Sequence, residues 1–99
     1  MSDRNIYGEV NSVTSIREIN RKIRDEIRGV RDRQHLTELK KRSDYLCTLT
    51  QAPSWQEKFG SKSRRMLAVA KEEDQRTTRL ANSVARRKGL GAEYDPWGN

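Results

Sequence analysis

Residues Ile16 to Arg33 read I-R-E-I-N-R-K-I-R-D-E-I-R-G-V-R-D-R. Ile16, Ile19, Ile23, Ile27 and Val30 recur at three- and four-residue steps, which stacks them along one side of an α-helix. Arg17, Arg21, Arg24, Arg28 and Arg31 repeat at the same steps on a neighbouring face, and Glu18, Asp25 and Asp32 form a third, acidic row. An oily seam flanked by ordered charge is what a helix needs to pack on another helix and stay soluble. The stretch predicts an all-α chain and a protein-interface seam made of those four isoleucines and Val30.

Downstream, Leu36, Leu39, Leu46 and Leu49 form a second row, out of phase with the first by well over a quarter-turn. The phase change admits a bend or a break near Asp32 to His35; no glycine or proline lies there, so the spacing favours one helical region over residues 13–50, bent where the phase changes. A helix of that length would run about 55 Å, too long for a compact monomer of this size. Ala52-Pro53 ends it. Ser54 and Glu57 have capping-box spacing and open a short helix over 54–59 with Trp55 and Phe59 as its large apolar groups. Gly60 follows, and Ser61 or Ser63 caps a helix over 62–88. Met66, Val69, Ala70, Thr77, Leu80, Ala81 and Val84 line one side of this last helix. Lys88-Gly89 is a stop signal. At the front, Ser15 with Glu18 is a better capping-box match than Ser12.

The expected architecture is the long helical region folded antiparallel on the C-terminal helix, as a helical hairpin or three-helix bundle. Residues 1–11 read as a loose arm, 12–88 as one helical domain and 89–99 as a flexible tail. The chain has 99 residues, a net charge of +7 and only 32% hydrophobic residues. Lean, periodic chains commonly complete a core by self-association, so a homo-oligomer or a helical protein partner is expected.

Little in the sequence carries chemistry. A single cysteine and a single histidine exclude an internal disulfide and any multi-cysteine zinc site. Glu72, Glu73 and Asp74 are consecutive and point around their helix, not into one site. No cofactor, metal, small-molecule substrate or catalytic residue is expected, and the chain reads as a non-enzyme. No apolar run reaches membrane-spanning length, and the basic helix lacks bulky apolar groups for insertion. The expected location is cytoplasmic.

Charge gives the second functional reading. Residues 61–88 hold nine Lys and Arg against three Asp and Glu. Arg65, Arg76, Arg79, Arg86 and Arg87 fall away from the apolar stripe, and guanidinium forks suit phosphate oxygens. The first helix's arginines have acidic residues four positions on (Arg21–Asp25, Arg28–Asp32), a pattern of surface support. Two functions follow. One is a small helical adaptor or regulatory subunit acting through helix–helix contacts and self-association. The alternative is a basic nucleic-acid-binding regulator using the arginine face of the C-terminal helix. Tyr94 and Trp97 in the tail offer a docking motif, since aromatic anchors dominate many interfaces.

Overall fold

The chain's structure, a computed structural model, describes residues 4–5 and 8–90. Four helices account for nearly all of it: α1 (Val13–Arg28), α2 (Arg33–Gln51), α3 (Pro53–Phe59) and α4 (Lys62–Lys88). A two-residue antiparallel pairing precedes them, with β1 (Arg4–Asn5) opposite β2 (Gly8–Glu9). Val10, just after β2, is fully buried against the bundle. Among the described residues no helix is long and apolar enough to cross a membrane.

The long helical region expected over 13–50 is two helices, and the break has a local cause. Gly29 closes α1, its N–H donating to the carbonyls of Glu26 and Ile27. Asp32 then adopts an extended backbone, and its carboxylate accepts from the His35 N–H at 2.8 Å. Aspartate three residues ahead of a free N–H is an N-cap in its own right, so neither glycine nor proline is needed at the restart. Lys88, at the end of α4, donates to the carbonyls of Arg28 and Val30 at 3.0 and 2.6 Å. A cation thus satisfies backbone groups that α1 leaves open. Replacing Asp32 with alanine is expected to cost about 1 kcal/mol. That corresponds to a melting point lower by about 4–8 °C in a domain of this size, read by a thermal melt; no shift would remove Asp32 as the cap.

The capping details also differ from the sequence reading. Ser12, not Ser15, is the N-cap of α1: its Oγ accepts from the Ser15 N–H at 3.1 Å while Ser15 Oγ accepts from the Ser12 N–H at 3.0 Å. Pro53 opens α3 at its first turn after Ala52, without a side-chain cap from Ser54, because proline's fixed φ already suits that position. Ser61 makes no side-chain cap, and Ser63 Oγ donates to the Gly60 carbonyl at 2.7 Å. Gly60 turns the chain at φ 56°, a conformation that favours glycine.

The break resets the helical phase, and that brings the isoleucine and leucine rows to one core. Ile16, Ile19, Ile23, Ile27, Val30, Leu36, Leu39, Leu46, Met66, Val69, Ala70, Ala81 and Val84 are all buried there. Asn20 of α1 touches Ser43 of α2 and Thr77 of α4. Lys40 meets Asp74, and Thr50 shares a surface with Ser63, so α2 runs antiparallel to α4. Val13 lies beside Met66, Arg24 beside Glu73, and Arg28 beside Lys88, so α1 runs parallel to α4. Only the α2 half of the expected long region is therefore antiparallel to the last helix. The result is a three-helix bundle with α3 as its corner. Its extents are 43 × 24 × 22 Å, the long one close to the ~40 Å of a helix of α4's length.

Candidate nucleic-acid interface

The five seam residues expected to meet another protein are 0–3% exposed inside the chain's own core. Their partners are α2 and α4, because the reversal at 29–32 supplies in one chain what a second chain was expected to bring. Every Ile, Leu, Val, Met, Phe, Tyr and Trp from residue 9 to 90 is buried or half-buried. The outer surface of the described bundle is polar and charged.

Core packing orients that charge. Ile16, Ile19, Ile23 and Ile27 face inward, so Arg17, Arg21, Arg24 and Arg28, about a quarter- to a third-turn away, lie on one flank. That flank faces α4. Arg24 Nη1 pairs with Glu73 Oε1 at 3.0 Å, both nearly enclosed, and donates to Thr77 Oγ1 at 3.4 Å. Arg76 reaches the same carboxylate from its own helix, Nη1 to Glu73 Oε2 at 3.7 Å, and Glu72 Oε1 from Nη2 at 3.8 Å. Arg17, Arg21, Arg24, Glu72, Glu73 and Arg76 together line a shallow depression of about 310 Å³. Towards the start of both helices a second depression is lined by Asn11, Ser12, Val13, Lys62, Arg65 and Met66. Both depressions lie along the α1/α4 junction, a groove lined by six cations and two carboxylates.

The arginines assigned to phosphate from α4 alone therefore separate. Arg65 and Arg76 lie in the groove with the α1 row. Arg79 and Arg86 are exposed on the outward side of α4, while Arg87 is exposed and nearly in phase with Arg76. Arg17, Arg21 and Arg24, in a row whose spacing reads as surface support, line the groove. Arg28 does form an intrahelical pair, to Asp25 at 2.7 Å, because Asp32 is engaged as the α2 cap. The signal for the α1 row was its phase, on the same side of the isoleucines throughout. Tyr94 and Trp97 lie outside the described residues.

The three consecutive acids of α4 do point in different directions, and two of them tie helices together. Glu73 holds α1. Asp74 holds α2, accepting from Lys40 Nζ at 3.0 Å and from Ser43 Oγ at 2.6 Å. Lys40 also binds Asp44, one turn on. Asn20 Oδ1 lies 2.9 Å from Ser43 Oγ and 3.2 Å from Thr77 Oγ1. A continuous polar path thus crosses the bundle from Arg24 to Asp44, and it fixes the register that sets α1's arginines against α4. Burial would lower Lys40's pKa, but its bonds to Asp44 and Asp74 outweigh that and raise it; burial raises Asp44.

Cys47 sits beside this cluster, and burial, with Asp74 and Asp44 adding to it, pushes its thiol up to about 12. Its thiolate at pH 8 should be roughly a thousandfold scarcer than that of an ordinary cysteine. Higher intrinsic nucleophilicity recovers part of the loss. Alkylation in the folded chain is expected to run about one to two orders of magnitude slower than in urea; equal rates would contradict this environment. Among the described residues no three His, Cys, Asp or Glu side chains are placed to hold a metal ion.

No family model, curated protein or solved structure matches this chain. What the groove can do is thus argued from its own residues. It offers cations from two packed helices, Arg17, Arg21 and Arg24 from α1 and Lys62, Arg65 and Arg76 from α4. It has no nucleophile beside a base, and its Glu73 is occupied by arginines. Such a surface suits binding of a polyanion.

Proposed function

We propose that this chain is a non-enzymatic nucleic-acid-binding protein that contacts phosphates through the α1/α4 groove. The supporting observation is the meeting of Arg17, Arg21 and Arg24 with Arg76 in one depression, continued by Lys62 and Arg65. A net charge of +7 and a pI near 10.0 give the long-range attraction. Along α1, Arg17, Arg21 and Arg24 step by about 4.5–6 Å, so that row follows a phosphate backbone over several nucleotides.

The adaptor reading loses its main support, since the seam that suggested it is spent inside the fold. A protein partner for the described bundle would have to be recognised by charge, because no large apolar side chain is exposed to anchor it. Among the described residues no exposed aromatic stands along the groove to stack on bases, so the expected binding is weakly sequence-dependent and favours duplexes over single strands.

The test is fluorescence anisotropy of a 20-base-pair duplex DNA, the matching duplex RNA and a single strand, each over a range of salt. Four to five phosphate contacts would give a log–log slope of about −4 for duplex DNA. Absence of binding to all three at about 50 mM salt would refute the proposal, since electrostatic contacts are strongest there.

A further inference from the structure

We propose that the acidic stretch of residues 91–99 docks in the α1/α4 groove of its own chain and competes there with phosphate. The inference rests on the phosphate reading of that groove and adds its regulation. The stretch is G-A-E-Y-D-P-W-G-N, with two carboxylates and no cation, following the most basic helix of the chain.

Position makes the contact reachable. The Leu90 N–H donates to the Ala85 carbonyl at 2.9 Å, so α4 ends at Gly89 and Leu90 folds back on its last turn. That end stands at the closing turn of α1, where Lys88 binds the Arg28 and Val30 carbonyls. Nine residues span up to about 30 Å. The α1 row from Arg28 to Arg17 is about 17 Å long, so the stretch can reach most of the groove. A chain leaving Leu90 and running back meets Arg87 and Arg28 first, then Arg76 and Arg24.

Composition fits the same surface. In an extended chain residues two apart share a side and lie about 6.6 Å apart. Glu93 and Asp95 are two apart in sequence, a spacing that in an extended chain matches the ~6 Å step between arginines one helical turn apart. Pro96 disfavours helix at Asp95. Tyr94 and Trp97 supply rings on which a guanidinium plane stacks. Each exposed ion pair is weak. Tethering, however, gives the segment an effective concentration of order millimolar, so weak contacts suffice to populate the docked state. A nucleic acid bringing many phosphates displaces it.

The test uses the full chain and its double variant Glu93→Gln/Asp95→Asn, which leaves the bundle untouched. The side-chain Nε–Hε resonances of Arg76 and Arg87 are recorded without nucleic acid. They are expected to differ between the two proteins at about 50 mM salt and to converge at about 1 M, where the Debye length falls to about 3 Å. The variant should bind the 20-base-pair duplex about fivefold tighter at low salt. Superimposable arginine signals at low salt, with equal duplex affinity, would overturn the proposal and leave the phosphate reading intact. If neither protein bound the duplex while the arginine signals still differed, the docking would stand and the phosphate reading would fall.

Discussion

Ile23→Asp is expected to leave the chain unfolded at 25 °C. Ile23 is fully buried at the middle of α1, between Ile19 and Ile27 on its inward row. The substitution forfeits about 2–3 kcal/mol of apolar transfer. It also places a carboxylate where no cation reaches it, at a cost of several kcal/mol more. Against a total stability of roughly 5–15 kcal/mol, that consumes most or all of it. Circular dichroism should show loss of helix, and a cooperative thermal melt at an unchanged midpoint would contradict the packing described here. The neighbouring Arg24→Ala makes a sharper contrast. From sequence it is a surface change of little consequence. In the fold it strands Glu73, whose side chain is 6% exposed, and leaves it only the longer contact to Arg76. A loss of about 1–3 kcal/mol is expected.

Reversing one charge in each row of the groove, Arg21→Glu with Arg65→Glu, is expected to weaken duplex binding about a hundredfold at 0.1 M salt. Each lost phosphate contact removes a counterion-release factor of about eight at that salt, and reversal adds repulsion. The salt slope should flatten by about two. Both residues are exposed, so the fold should persist by circular dichroism. Lys41→Glu, on the outward face of α2, alters net charge as one groove reversal does. It is expected to change affinity by no more than about threefold, which separates a located face from a diffuse attraction. Equal losses from Lys41→Glu and Arg21→Glu would contradict a localised site.

The helical class and the inward-facing rows were legible because apolar periodicity is a local signal. The isoleucine and leucine rows each report their own helix. Their phase difference is legible too, and it admits a bend or a break. The lack of glycine and proline over 32–35 favours the bend, yet Asp32 is an N-cap by its own side chain. Missing that turn had a large consequence. One long helix cannot bury its own seam, so a second chain seemed necessary; two short helices bury it against each other and α4. The same error divided the cationic groove. Spacing pairs Arg21 with Asp25 and Arg28 with Asp32 and reads the α1 row as surface support, because only same-helix neighbours can be read from spacing. Glu73, which joins Arg24 to Arg76 across two helices, is 49 positions from Arg24 and announces nothing of that partner. The polar path through Asn20, Ser43, Thr77 and Asp74 was hidden for a related reason: a buried polar residue shows only once its partners are brought together.

The central claim is that phosphates lie between α1 and α4. Backbone amide and arginine Nε–Hε shifts of the wild-type chain, followed while the 20-base-pair duplex is added, test it most directly. Changes are expected to concentrate on Arg17, Arg21, Arg24, Lys62, Arg65 and Arg76, with α2 and α3 nearly silent. Changes centred on α2 or α3, or confined to the outward side of α4 at Arg79 and Arg86, would contradict it.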